Sequence, residues 1–147
     1  MKINKVAFFT FAEVTTAIEH YRVLSPLKHA GIEIINGVVD GEIKPLVIQE
    51  CDLVLIQRDF ARKFEDYLTI SWIARSTGKP LVMDLDDNIL NLPKEHPDRI
   101  SHYYASSLPG LLHALIDVDL VTVSTEHLKN DLIDINPNIS VLQNYFD

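Results

Sequence analysis

Glycine and cysteine are both scarce in this 147-residue chain, and each scarcity excludes a class of site. The five glycines form neither a Gly-x-Gly-x-x-Gly nor a Walker sequence, so conventional dinucleotide or P-loop nucleotide binding is not expected. The single cysteine, Cys51, cannot form an internal disulfide, which favours a reducing, cytoplasmic compartment. Because it lies beside an apolar run, we predict a buried structural thiol. One cysteine and six scattered histidines provide no zinc-binding pattern.

Positive charge and long apolar runs are also scarce. Lys and Arg number 13 against 21 Asp and Glu, which gives a formal net charge of −8. This argues against nucleic acid or anionic lipid as the main partner, because both need a basic protein face. No apolar run approaches the ~20 residues that span a bilayer, and no signal-peptide pattern is present. The composition predicts one globular domain over residues 1–147.

Short apolar runs alternate with segments of helical periodicity. The predicted strands are Val6–Phe11, Ile32–Val39, Asp52–Gln57, Leu81–Leu85, Asp119–Val123 and Ile139–Leu142. Predicted helices cover residues 13–30, 60–77 and 101–116, the last broken near Pro109-Gly110, with another after the capping pair Ser124-Thr125. The alternation predicts an α/β fold, a Rossmann-like three-layer domain with a mostly parallel sheet of about six strands and helices on both faces.

Three segments allow more specific predictions. The side chains of the helix over 60–77 that should face the sheet are Phe64, Tyr67, Leu68 and Trp72. A hairpin is conceivable at Asp40-Gly41, but a short helix beginning at Pro45 fits the following residues better. Residues 88–100 contain two prolines and no clean period, and we expect an ordered loop of a length that is often functional.

The most distinctive stretch is the strand Leu81–Leu85 with its acidic end. Asp84, Asp86 and Asp87 cluster where this strand ends, and parallel α/β sheets bind ligands at the carboxyl ends of their strands. Carboxylates there suit a divalent cation or a general base whose pKa is raised by its neighbours. The alternative is that Asp84 only forms hydrogen bonds with neighbouring backbone groups, while Asp86 and Asp87 cap the next turn. We predict that at least one acid is functional, with Asp86 and Asp87 as the candidate catalytic residues.

Position along the chain separates three chemistries that use acids at a strand end. Haloacid-dehalogenase-type phosphatases and response-regulator receivers need acids after the first strand, but here that strand ends in Thr10-Phe11. Metal-dependent glycosyltransferases carry an Asp-x-Asp after a mid-chain strand, which Asp84-Leu85-Asp86 matches. That possibility stays open, whereas no Gly-x-Ser-x-Gly nucleophile elbow is present.

Other polar side chains are predicted to lie near the same edge of the sheet. The candidate substrate-binding residues are Thr10, Glu13, Arg22, Arg58, His96, His102 and Thr125. Arg58 suits bidentate binding of a phosphate or carboxylate, or equally a pairing with the local acids. For Arg22, on the first helix, a solvated surface position is favoured over ligand contact. For either histidine alone, an ordinary surface position is favoured.

Five segments follow one another in an order that has a counterpart in a known family. They are Tyr21–Gly31, Cys51–Arg58, Lys79–Asp87, Asp119–Thr125 and the final segment, residues 141–147. Together they resemble the N-terminal domain of GT-B-fold glycosyltransferases of the family 4 and family 1 type. The final segment is similar to the family's Val-Leu-Pro-Asn-x-x-Asp ending, with Gln143 replacing proline, and its Asn144 is a further candidate substrate-binding residue. The glycine-rich loop that many members have after the first strand is lacking.

The resemblance implies a retaining-type enzyme that moves a sugar from a nucleotide-sugar donor to a glycan or similar acceptor. The acceptor would bind this domain, the donor would bind a second Rossmann-like domain, and reaction would occur in the cleft between them. The sequence ends at Asp147, where the donor domain would begin, so we expect the chain to be inactive alone. No bound cofactor is implied, and peripheral membrane association of the full enzyme is left open.

Two other functions stay open from the residues themselves. A non-catalytic α/β binding or assembly module would use the same edge, and an exposed apolar patch at the C-terminal strand would favour it. A small metal-dependent enzyme would be built on Asp84-x-Asp86-Asp87, and it would bind magnesium or manganese.

Overall fold

The computed structural model describes residues 2–12 and 20–144, and a six-stranded sheet lies at its centre. The strands are β1 (Lys5–Phe9), β2 (Glu33–Asn36), β3 (Leu53–Gln57), β4 (Leu81–Leu85), β5 (Leu120–Val123) and β6 (Ile139–Val141). Their spatial order is β2-β1-β3-β4-β5-β6, and every neighbouring pair is parallel. The predicted α/β class, with a parallel sheet of about six strands, is confirmed.

Helices connect the strands and cover both faces of the sheet. They are α1 (Ser25–His29), α2 (Arg58–Ala61), α3 (Phe64–Ser76), α4 (Pro97–Ile100), α5 (Leu108–Asp117) and α6 (Glu126–Leu132). A π-helical turn, His20–Leu24, leads into α1, and 3₁₀ turns cover Pro45–Glu50 and Ile89–Asn91. None of the helices in the described ranges is long and apolar enough to cross a bilayer.

Alternate residues of the strands form two hydrophobic cores. On one face, Phe9, Ile56 and Met83 pack among buried side chains of α2, α3, α5 and α6. On the other face, Phe8 and Leu55 pack beneath the segment that contains the π-helical turn and α1. This two-sided burial explains why the strands are nearly continuous apolar runs, as expected for parallel strands between helical layers.

Both alternatives weighed after the second strand occur together. Val38–Val39 and Glu42–Ile43 form a small antiparallel hairpin, and the short helix begins at Pro45 as predicted. The turn residues Asp40 and Gly41 both have positive φ, 54° and 77°, which is the geometry of a tight hairpin turn. The predicted short helix is confirmed, and the hairpin that was weighed against it forms as well.

The prediction for the helix over 60–77 was partly wrong. The chain forms two helices there, and only Tyr67 of the four expected side chains is buried, because the buried stripe runs through Tyr67, Ile70 and Ala74. That stripe has helical spacing, so the neighbouring face of α3 carries the larger apolar side chains outward. Trp72 is 70% exposed.

Two further segments differ from expectation. Pro109 and Gly110 lie in the first turn of α5 and do not break a helix, a position that proline fits because its missing N–H is not needed there. Residues 101–107 form turns, and part of the preceding loop is helical. Of the predicted helix over 13–30, residues 13–19 lie outside the described residues, and the remainder is helical up to His29.

Candidate functional site

The candidate site lies at the carboxyl edge of the sheet, the side where the parallel strands end. The strand order reverses between β1 and β3, since the chain goes from β1 outward to β2 and then returns to β3 on the other side. Ligands of open α/β sheets bind outside the carboxyl ends of the strands at such a reversal. The candidate site is therefore formed by the residues that follow β1, β3 and β4.

A row of polar side chains crosses this edge. Gln57 of β3 is in register with Asp84 of β4, which is in register with Thr122 of β5. Thr10 directly follows Phe9, the partner of Ile56, and so continues the row at β1. Thr10, Gln57 and Asp84 are buried. Polar side chains thus replace apolar ones near the carboxyl ends of at least four strands.

Arg22 lies over this row, and the expectation of a solvated surface position is wrong. Its guanidinium makes a bidentate pair with Asp84, with Nε to Oδ2 at 2.8 Å and Nη2 to Oδ1 at 2.6 Å. Nη1 donates to the Leu142 carbonyl and to Asn144 Oδ1. Thr122 donates to Asp84 at 2.7 Å. Arg22 and Asp84 therefore join the first helical segment, β4 and the C-terminal segment.

Asp59 occupies the end of β1. Its Oδ2 accepts hydrogen bonds from the backbone N–H groups of Phe11 and Ala12, and the Thr10 hydroxyl donates to the same carboxylate. Successive N–H groups after a first strand are where glycine-rich loops hold phosphate. Here an internal carboxylate takes that place, which agrees with the lack of a glycine-rich sequence.

Replacing Asp59 by alanine is expected to lower the free energy of unfolding by about 3 kcal/mol, because two partly buried N–H groups and one hydroxyl lose a charged acceptor. Denaturant unfolding measures this change. Asp134→Ala, which removes an exposed carboxylate, is the matched control and should change stability by less than about 0.5 kcal/mol. Equal effects of the two substitutions would show that Asp59 does not hold the end of β1.

The two acids that follow β4, Asp86 and Asp87, both lie beside Arg58. Arg58 Nη1 lies 2.8 Å from Asp87 Oδ2 and 3.7 Å from Asp86 Oδ1. The Asp86 side chain is only 16% exposed, whereas that of Asp87 is 63% exposed. Burial raises the pKa of Asp86 above its ordinary value, with Asp87 adding to the shift and Arg58 opposing it. A half-buried carboxylate with a raised pKa that is still open to solvent is a candidate proton acceptor.

The acids hold Arg58, and the residues that follow them line a cavity. Although burial opposes it, the charges of Asp86 and Asp87 and the hydrogen bond to Asp87 raise the pKa of the Arg58 guanidinium. Tyr104 lines a cavity of about 260 Å³. Its other lining residues are Ile89, Leu90, Asn91, Leu92, Asp98 and Arg99 of the loop predicted to be functional, His102 and Ala105 of the turns after it, and Leu108, the first residue of α5.

The remaining predicted site residues have mixed placements. His102 lines this cavity and has a positive φ of 56°, an uncommon conformation that is concentrated at functional positions. His96 accepts a hydrogen bond from the Asp98 N–H at the start of α4, and Thr125 caps α6 through the Leu128 N–H. Glu13 lies outside the described residues.

The three acids do not converge as a metal site would require. Asp84 is turned into the core toward Arg22, whereas Asp86 and Asp87 are on the Arg58 side. Across residues 2–12 and 20–144, no group of three His, Cys, Asp or Glu side chains is arranged to hold a metal ion.

Sequence reasoning missed Gln57. This buried residue ends the apolar run of β3, and its Oε1 has no hydrogen-bond partner in the described part of the chain. The only available signal was a polar residue at the last position of that run. The predicted burial of Cys51 is confirmed, and burial raises the pKa of its thiol.

The fold and this edge define a Rossmann-like α/β domain with a polar, partly buried site where the central strands end. Comparison of the sequence with models of protein families and with curated proteins finds no match. The function is therefore inferred from the geometry of the site and from the resemblance of its segments.

Proposed function

We propose that this chain is the acceptor-side domain of a glycosyltransferase that moves a sugar from a nucleotide-sugar donor to a glycan or similar acceptor. The observation that carries the proposal is Asp86, a half-buried carboxylate with a raised pKa at the carboxyl edge, next to Arg58 and to the loop that encloses a cavity. Such a carboxylate is suited to accept the proton of an attacking hydroxyl.

The resembling segments support this proposal because they meet at one place. Arg22 from the first segment contacts Asp84 from the third and Asn144 from the last. Arg58 from the second segment contacts Asp86 and Asp87 from the third. Segments that are distant in sequence thus come together at the carboxyl edge. In this proposal the edge is one wall of a cleft, and the opposite wall would be a donor-binding Rossmann-like domain in the same polypeptide or a partner.

In the proposed reaction, the acceptor binds against the loop with its nucleophilic hydroxyl hydrogen-bonded to Asp86. The hydroxyl oxygen bonds to the anomeric carbon of the donor sugar, its proton passes to Asp86, and the sugar–phosphate bond breaks to release the nucleotide with its phosphate groups. This single displacement inverts the anomeric carbon, unlike the retaining outcome that the resemblance implies. The cavity lined by His102 would hold part of the acceptor. A cytoplasmic location belongs to the same proposal, supported by the single buried cysteine.

Acceptor binding can be tested on the chain alone. Amide chemical shifts of the labelled protein are recorded during titration with a panel of monosaccharides and alkyl glycosides. We expect changes at the carboxyl edge, around Asp86 and His102, and none around Trp72 on the outer face of α3. Shift changes confined to the Trp72 region would contradict the proposed role of the edge.

A second candidate function is a non-catalytic assembly module, favoured by an exposed apolar groove. The groove lies between α3 and α5 rather than at the C-terminal strand, and its lining includes Leu68, Trp72 and His113. Light scattering of concentrated protein distinguishes this candidate. A stable dimer that Trp72→Ser dissociates would favour a contact between two copies through this groove, whereas a monomer would remove it.

A further inference from the structure

Three cationic side chains cross the carboxyl edge, although the chain as a whole has a net charge of −8. They come from α2 and the residues directly after it: Arg58, Arg62 and Lys63. Arg58 lies at the end of β3 and reaches the acids after β4. Lys63 lies at the other end, over the ring of Phe11, which follows β1. We call these three residues the basic strip.

Aromatic rings and a hydroxyl group, rather than carboxylates, hold two members of the strip. The Arg62 guanidinium lies 5.0 Å from the ring centroid of Tyr104 and donates from Nε to Ser107 Oγ at 3.1 Å. Lys63 Nζ lies 3.5 Å from the ring centroid of Phe11, which stacks on Phe60. Neither cation has a carboxylate partner among the described residues, so their charges are oriented but not neutralised.

The strip also fits the rest of the edge. Backbone N–H groups at the end of β1, a usual anion site, are already taken by Asp59, so another group must bind any anion there. Tyr104 contacts Arg62 and lines the cavity that follows β4, and Arg58 lies beside Asp86. The strip is therefore continuous with the cavity and with Asp86.

We propose that Arg62 and Lys63, with Arg58 beside them, bind a phosphate group of a ligand at the carboxyl edge. This inference rests on the proposed function and specifies its substrate class: the ligand that enters beside Asp86 carries a phosphate. The guanidinium of Arg62 suits two oxygens of such a group, and Lys63 adds a point charge. The phosphate belongs either to a phosphorylated acceptor or to the donor nucleotide.

The test measures binding of three probes to the intact chain by calorimetry and by amide chemical shifts: inorganic phosphate, a hexose phosphate and uridine diphosphate. We expect saturable binding of at least one probe, with shift changes at Arg62, Lys63 and Tyr104, and weaker binding at high salt. Tighter binding of the hexose phosphate assigns the site to the acceptor, and tighter binding of the diphosphate assigns it to the donor.

Arg62→Gln/Lys63→Gln should weaken binding by at least about tenfold. The control, Lys28→Gln/Lys79→Gln, removes the same charge from positions that precede β2 and β4 at the opposite edge, and it should leave binding unchanged. Lys63→Gln alone, at an exposed position, covers the case in which the double variant does not fold, and Arg62→Lys should retain part of the affinity. Absence of binding, or equal losses in both double variants, would overturn the inference and leave sugar transfer to be judged by its own assay.

Discussion

Replacing Arg22 by alanine is expected to lower the free energy of unfolding by about 3–5 kcal/mol, since it leaves a buried carboxylate without its counter-charge. The side chains of Arg22 and Asp84 are 2% and 3% exposed, so water cannot replace the lost bonds. The guanidinium also holds the Leu142 carbonyl and Asn144, which predicts loosening of the C-terminal segment. Denaturant unfolding and amide hydrogen exchange measure the two effects.

Two variants make this prediction specific to the buried pair. Lys28→Ala changes an exposed cation of α1 and should alter stability by less than about 0.5 kcal/mol. Arg22→Met/Asp84→Leu removes both charges and should recover most of the loss, because an apolar pair has no uncompensated charge. If Arg22→Ala is as mild as Lys28→Ala, the pair does not hold these segments together.

Replacing Asp86 by asparagine is expected to reduce sugar transfer by about 10²–10⁴-fold, the usual contribution of a positioned general base. The assay uses the protein assembled with a donor-binding domain and follows the consumption of nucleotide sugar. Asp87→Asn should have a smaller effect because Asp87 is mostly exposed, and Asp134→Asn, at an exposed surface position, should have none. Transfer by Asp86→Asn at the wild-type rate would contradict a role as proton acceptor.

Asp86→Asn should lose activity without losing stability. The pKa of Asp86 is raised in the folded state, so the folded chain binds this proton more strongly than the unfolded chain does. The ionised carboxylate therefore opposes folding, and its unfavourable contribution develops as the pH rises from the unfolded pKa through the higher folded pKa. At neutral pH, Asp86→Asn should be at least as stable as the wild type, so lost activity would not reflect unfolding.

The sheet was predictable because each parallel strand is buried on both faces. The runs that became β1, β3, β4 and β5 are nearly continuous apolar sequences, and helical layers explain why no alternation appears in them. Strand ends were also predictable, since polar residues such as Arg58 and Asp86 mark the point where each strand leaves the core. The carboxyl edge was accordingly located from the sequence.

Side-chain direction was not predictable to the same degree. Apolar content alone favoured Trp72 as a sheet-facing residue, but the helix is oriented by the stripe of Tyr67, Ile70 and Ala74 that fits against the core. Arg22 was expected at the surface because arginine is rarely buried without a partner. Its partner, Asp84, lies 62 positions away, and no local pattern indicates such a pair.

At the carboxyl edge, too, the directions of side chains could not be predicted from the sequence. Three acids within four residues suggested one cluster. In the structure, the alternation of strand side chains directs Asp84 to one face of the sheet, whereas Asp86 and Asp87 lie beyond the strand beside Arg58. The sequence therefore indicated where acidic residues lie along the chain. Only the three-dimensional arrangement distinguished Asp84, a structural carboxylate, from Asp86, the candidate catalytic one. The contacts of Asp59 with the residues after β1 likewise could not be predicted, because they depend on the pairing of β1 with β3.

The central claim, that this chain contributes the acceptor side of a sugar-transfer site, is tested most directly by transfer itself. The chain is combined with a donor-binding Rossmann-like domain, as one polypeptide or as two docked halves, and nucleotide-sugar turnover is measured with and without acceptor. We predict acceptor-dependent transfer from the combination and none from either half. No transfer, with both halves folded and docked, would contradict the account.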